Sequence, residues 1–149
     1  MKVDTIVVGF DGSANAQRAL DTAMDLISDD GTIHVVTAFH ARSSSETAEL
    51  MASLPEEFRG GFDLMQGPKM YLRDAEDALG RHGVDHKGHL VEDDAASAIL
   101  DVADEVGAEL VVVGSRGLGR VARFLRGSVS TRVAHHARTS FLVVTDPEH

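Results

Sequence analysis

Four short runs of β-branched and other apolar residues set the strongest limit on the fold: VDTIVVGF at 3–10, TIHVVTAF at 32–39, LVVV at 110–113 and SFLVVT at 140–145. Runs of this kind read as buried strands. Stretches with helical spacing separate them. Leu20, Ala23, Met24 and Ile27 recur after the first run, with Ser13 placed to cap a helix and Asp29-Asp30-Gly31 placed to end it. Met70, Leu72, Ala75, Ala78 and Leu79 predict a second helix over 69–82, followed by a short strand at 84–91 (VDHKGHLV). Ala95, Ala98, Ile99, Val102, Ala103 and Val106 form the clearest apolar stripe, opened by Asp94 and stopped by Gly107. A last helix is expected over 129–137, capped by Ser128.

Strands alternating with amphipathic helices require an α/β fold: an open parallel sheet with helices on both faces, because right-handed crossovers place them there. The expected order is β-α-β-α-β-α-β-α-β. In such sheets ligands sit at the carboxyl ends of strands where the winding reverses. That directs attention to the turns after the first and fourth strands, FDGS (10–13) and GSRGLGR (114–120). Residues 40–67 are the loosest stretch, broken by Ser43-Ser44-Ser45, Pro55, Gly60-Gly61 and Gly67-Pro68. A short helix over 47–54, capped by the serines, is expected within it, and Met51, Leu54, Phe58, Phe62, Leu64 and Met65 are read as packing side chains in preference to a cover over a bound ligand or a partner.

With 149 residues, 43% of them hydrophobic, the chain fits one domain spanning 1–149. It has no cysteine, which excludes disulfides, thiolate metal sites and thiol chemistry. No apolar stretch approaches the roughly 18 residues of a membrane span, and MKVDTIVVGFDGS lacks the layout of a signal peptide. A cytoplasmic protein with no membrane partner is expected. The net charge of −10 argues against nucleic acid as a partner, since phosphate neutralisation needs a basic face.

That charge is unevenly placed. Residues 110–145 hold no Asp or Glu but six arginines (Arg116, Arg120, Arg123, Arg126, Arg132, Arg138), a local +6 against −16 elsewhere. The asymmetry points to a locally held anion. Gly114 follows a strand, Gly117 comes three residues on, and Gly127-Ser128 opens a helix, so backbone N–H groups and a helix N-terminus can face a phosphate. Ser128, Ser130 and Thr131 add hydroxyl donors. No glycine here is followed by Lys-Ser or Lys-Thr, so a Walker loop fails. Gly117, Gly119 and Ala122 fit GxGxxA, but the pattern does not directly follow its strand and lacks an acid about 20 residues on, so a dinucleotide fingerprint is not supported.

The spacing Gly114-x2-Gly117-x9-Gly127-Ser128 resembles the GxxGx9G[ST] motif of ATP-type members of the universal stress protein family. IVVGFDGSANAQRAL, ILDVADEVGAELVVVGSRG and GSVSTRVAHHA are similar to that family's segments in the same order. The resemblance implies a five-stranded, Rossmann-like sheet of the adenine nucleotide alpha hydrolase-like kind. It also implies a homodimer paired through the C-terminal strand, and ATP bound between the first and fourth strand ends, with AMP or cyclic AMP as alternatives and Mg2+ carried on the phosphates. By the same resemblance Gly9, Phe10 and Asp11 lie near the ribose or adenine, and Ala38 frames the adenine. Val113, Gly114, Ser115 and Gly117 line the ribose and phosphate path, and Gly127, Ser128, Val129 and Ser130 hold phosphates. Arg116 and Arg120 are weaker candidates, since loop arginines can simply point outward. The chain departs from the family at Glu92-Asp93-Asp94, where Gly-x-Pro is frequent, and at Arg138-Thr139-Ser140, where a proline often precedes the last strand.

Other clusters favour plainer readings. Asp11 after a buried strand is read as a turn former, since general acid-base work needs a partner and none is evident. No catalytic residue is assigned. His82, His86 and His89 are separated by Gly83 and Gly88 and are read as a surface cluster, and the neighbours His135-His136 cannot share a helix face, so no metal site is expected. Three functions follow: an adenine-nucleotide-binding regulator of stress responses acting through its dimer or an unidentified protein partner, a slow ATPase or phosphotransferase, and an interaction module independent of nucleotide.

Overall fold

A computed structural model describes residues 2–39, 66–115 and 139–145, with Ala48, Glu49, Ala52, Ser53, Pro55 and Glu56 between them. Five strands and three long helices follow one another as β1 (Val3–Gly9), α1 (Ala14–Leu26), β2 (Ile27–Phe39), α2 (Gln66–Arg81), β3 (Asp85–Glu92), α3 (Ala95–Val106), β4 (Leu110–Gly114) and β5 (Ser140–Val144). The strands form one sheet in the order β3-β2-β1-β4-β5, every neighbouring pair parallel. The expected open parallel α/β sheet is the observed architecture. The helices expected over 47–54 and 129–137 lie largely or wholly outside the described residues.

The apolar runs become strands because both of their faces are covered. Ile6, Val7 and Val8 of β1 and Val111 and Val112 of β4 are wholly buried. On one face Ile6, Val8, Ile33 and Val35 meet Ala16, Ala19, Leu20 and Ala23 of α1 and Ala75, Ala78 and Leu79 of α2. On the other, Val7, Val36, Val111 and Val113 meet Ala98, Ile99, Val102 and Ala103 of α3. Caps fix the helix starts: the Ala16 N–H donates to Ser13 Oγ at 3.1 Å and the Ser97 N–H to Asp94 Oδ1 at 3.1 Å. Asp94, the last residue of Glu92-Asp93-Asp94, thus caps α3.

The second strand begins earlier than its sequence suggests. Asp29-Asp30-Gly31 is part of β2, which starts at Ile27 directly after α1. Val3 pairs with Ile27 and Thr5 with Thr32, so the polar residues between them form an irregularity in the ladder. Ser28 Oγ donates to Asp4 Oδ1 at 2.5 Å and holds this irregularity against β1. A turn-like composition therefore bulges the strand and does not end the helix. At the other end, β5 forms without a preceding proline: Thr139 Oγ1 donates to the Ala108 carbonyl at 2.8 Å and the Ser140 N–H to the Glu109 carbonyl at 2.9 Å. No helix among the described residues is long and apolar enough to cross a membrane.

Candidate functional site

The sheet order makes β1 the strand where the winding reverses, with β2 on one side and β4 on the other. Crevices at the carboxyl edge open at such a point. The turn leaving β1 is fixed from several directions. The Phe10 N–H donates to the Val36 carbonyl at 2.9 Å, and Thr37 Oγ1 donates to the Phe10 carbonyl at 2.9 Å. Thr37 is the one buried polar side chain among the described residues, 2% exposed, and this bond satisfies it. Phe10 itself is buried in the core under α1. Its side chain and both backbone groups are thus engaged within the fold.

Asp11 follows, half-buried, and its Oδ1 accepts the Ser13 N–H at 3.0 Å. Gly12 between them has φ 80°, a conformation that side chains resist. An Asx turn thus feeds directly into the Ser13 cap of α1. This is the turn-forming role that the sequence assigns to Asp11.

Gly9, Ala38 and Val113 lie on the α3 side of the same edge. A Cβ on Gly9 would stand 2.6 Å from Ile99 Cδ1 and 3.6 Å from Val113 Cγ1. Ala38, Val91 and Val113 belong to the apolar cluster around Ile99, so this side of the edge is apolar. β4 leaves the edge in close contact with α1, where a Cβ on Gly114 would lie 2.5 Å from both the C and O atoms of Asn15. Asn15 Nδ2 donates to the Ser115 carbonyl at 2.5 Å, and the Arg18 guanidinium donates to Asn15 Oδ1. The Ser115 N–H donates to the Val144 carbonyl at 2.9 Å. The exit of β4 is therefore pinned by α1 on one side and β5 on the other.

The structure brings Gly9, Asp11, Ala38, Val113, Gly114 and Ser115 to one edge of the sheet. Arg116, Gly117, Arg120, Gly127, Ser128, Val129 and Ser130 lie outside the described residues. Sequence reading does not single out Thr37, Asn15 or Tyr71, which hold or border this edge. The Asn15–Ser115 contact spans 100 residues of sequence and is set by the docking of α1 against β4, so no local pattern signals it.

The three histidines of the predicted surface cluster separate. His82 Nδ1 faces the Ala78 carbonyl at 2.8 Å and His86 Nδ1 the Val84 carbonyl at 2.9 Å. His89 instead pairs with His34 across β2 and β3, Nε2 to Nδ1 at 3.0 Å, with the rings tilted. Burial holds the pKa of both below the usual histidine value. For His34 the neighbouring His89 and Lys87 add to this and Asp85 opposes it. For His89, Lys87 adds and Glu105 opposes. Among the described residues no group of three or more His, Asp or Glu side chains is arranged to hold a metal ion.

Comparison with known proteins agrees with this architecture. A sequence profile of the universal stress protein family matches residues 2–145. A universal stress protein of Mycobacterium tuberculosis is 28% identical over 142 residues, covering 94% of each chain. The stress response protein NhaX of Bacillus subtilis is 27% identical, covering 95% of this chain and 97% of its own. A universal stress protein solved in complex with cAMP is 30% identical with a TM-score of 0.63, covering 97% of this chain and 98% of its own. A family protein of Arabidopsis thaliana, solved with AMP bound, shares the fold at 16% identity and a TM-score of 0.61, covering 98% of this chain and 94% of its own. From β1 to β5, the chain belongs to the universal stress protein family.

Proposed function

We propose that this protein is an adenine-nucleotide-binding regulator that holds ATP, AMP or cyclic AMP at the carboxyl edge of β1 and β4. The observation that carries the reading is the spacing of Gly117 and Gly127-Ser128 from Gly114, in the pattern Gly114-x2-Gly117-x9-Gly127-Ser128. That spacing starts at the end of the strand that flanks β1 at the reversal of winding. The apolar character of Ala38 and Val113 at this edge suits a base, and the acid-free, arginine-bearing segment beyond Ser115 suits its phosphates, with Mg2+ carried on them. The relative solved with cAMP, at 30% identity over nearly the whole chain, supports the same ligand class.

Regulation then runs through assembly. β5 is an edge strand of the sheet and exposes Val143, which suits pairing with a second copy in a cytoplasmic homodimer whose state a protein partner reads. Calorimetric titration with ATP, AMP and cyclic AMP tests the reading. Binding is expected, and Gly117→Ala and Gly127→Ala should weaken it. If none of the three binds at millimolar concentration, or if both variants bind as tightly as the unmodified chain, the reading fails.

A further inference from the structure

We infer that Tyr71 forms a wall of the nucleotide site and biases it toward a purine base; the inference rests on the nucleotide-binding reading above. α2 begins at Gln66, and its early turns border the turn that leaves β1. Tyr71 occupies the space into which a side chain at residue 12 would project. A Cβ on Gly12 would lie 2.6 Å from Tyr71 Cδ1 and 2.7 Å from Cε1. The opposite edge of the ring borders Gly67, whose Cβ position is 3.9 Å from Cε2 and from the hydroxyl oxygen. Two glycines thus flank the ring, one in the β1 turn and one in the first turn of α2.

Core packing does not account for this side chain. Leu72, Ala75, Ala78 and Leu79 carry the contact of α2 with the sheet, whereas Tyr71 is 41% exposed. An aromatic ring flanked by backbone at two edges, yet still open to solvent, has fewer conformations to lose when a ligand packs on it. Its neighbour is Gly12, between Asp11 and Ser13 at the proposed base and ribose end. Rings in such positions stack on nucleobases, and the two-ring purine offers more overlap than a pyrimidine. The phenol oxygen adds a hydrogen-bond donor and acceptor to this surface.

The chain contains one tyrosine and no tryptophan, so its intrinsic emission reports from this position alone. ATP and CTP are titrated into the full chain and into Tyr71→Phe, Tyr71→Leu and Tyr71→Ala, with affinity read by calorimetry and tyrosine emission corrected for nucleotide absorption. Saturating ATP is expected to change the emission of the unmodified protein. Tyr71→Phe should bind ATP within about threefold of it, while Tyr71→Ala and Tyr71→Leu lose about tenfold or more and narrow the ATP-over-CTP preference. Tyr71→Leu keeps apolar bulk in α2 and so separates loss of the ring from loss of fold. The inference is overturned if the unmodified chain binds ATP but its emission is unmoved and Tyr71→Leu keeps both affinity and preference; that outcome leaves the nucleotide reading standing. Absence of ATP binding to the unmodified chain overturns both.

Discussion

Gly9→Ala should destabilise the protein for one identifiable reason, and Ile99→Val should repair it. Gly9 ends β1 and is not among the positive-φ glycines, so its backbone accepts alanine without strain. The new methyl would nevertheless stand 2.6 Å from Ile99 Cδ1, about 1 Å inside ordinary carbon contact. Ile99 is only 4% exposed and enclosed by Val7, Val36, Ala98, Val102 and Val113, so its tip cannot swing clear. Overpacking of this kind costs about 1–3 kcal/mol. A loss of about 2 kcal/mol lowers Tm by about 4–8 °C in a chain of this size. Ile99→Val removes Cδ1 at a cost of about 0.5–1.5 kcal/mol when made alone. In the double variant the nearest remaining atom is Cγ1 at 3.4 Å, an acceptable contact, and the alanine methyl fills part of the vacated volume. The double variant should therefore be no less stable than Ile99→Val, a favourable coupling of at least about 1 kcal/mol. Urea melts of the four proteins, followed by circular dichroism, measure it. Losses that simply add to within about 0.5 kcal/mol would show that Gly9 and Ile99 do not meet as described.

Two further outcomes follow from the same frame. Thr37→Val preserves shape but leaves the Phe10 carbonyl without the hydroxyl that donates to it, so it should lose about 1–3 kcal/mol in a urea melt, while Thr37→Ser retains most of the stability. The His34–His89 pair gives stability a pH dependence of defined sign. Burial holds both pKa values below 6.5; for His34 the neighbouring His89 and Lys87 add to it and Asp85 opposes it, and for His89 Lys87 adds and Glu105 opposes. About one unit above pH 6.5 and higher, both rings are largely neutral whether the chain is folded or not, and the contribution is essentially complete. As pH falls below that value the unfolded chain takes up protons that the folded chain does not, so stability declines until the folded pKa values are passed. Melts between about pH 7.5 and 5.5 should show this decline, and the double variant His34→Gln with His89→Gln should flatten it. An unchanged slope in that variant would assign the pH dependence to other groups.

The fold was legible because burial on both faces leaves no room for polar alternation: the runs 3–10, 32–39 and 110–113 advertise strands that helices cover. What stayed hidden depends on register. Asp29-Asp30-Gly31 carries turn composition, and only the pairing of Val3 with Ile27 reveals that it bulges a strand. Thr37 with Phe10 and Asn15 with Ser115 are contacts between residues far apart in the chain, set by how β1, β2 and β4 align. Tyr71 looked like one more residue on an amphipathic helix until the docking of α2 brought it against Gly12.

Glycine shows most clearly where sequence inference and structure part. In the sequence, Gly9 counts toward a nucleotide site by family resemblance and Gly114 by its place in the glycine spacing, where a ligand can approach a backbone that carries no Cβ. In the structure, each has a reason that involves no ligand: Ile99 occupies the space beside Gly9, and the backbone of Asn15 lies against Gly114. Gly12 is doubly constrained, by φ 80° and by the Tyr71 ring. A family that packs α1 onto β4 this closely would need a glycine at position 114 even in members that bind nothing. Gly114→Ala should consequently lose stability whatever it does to affinity, because the obstructing atoms are backbone C and O, which shortening the Asn15 side chain would not move. Its effect on binding could not be separated from its effect on the fold. The weight of the nucleotide reading therefore passes to Gly117, Gly127 and Ser128, whose spacing from Gly114 packing against α1 does not explain.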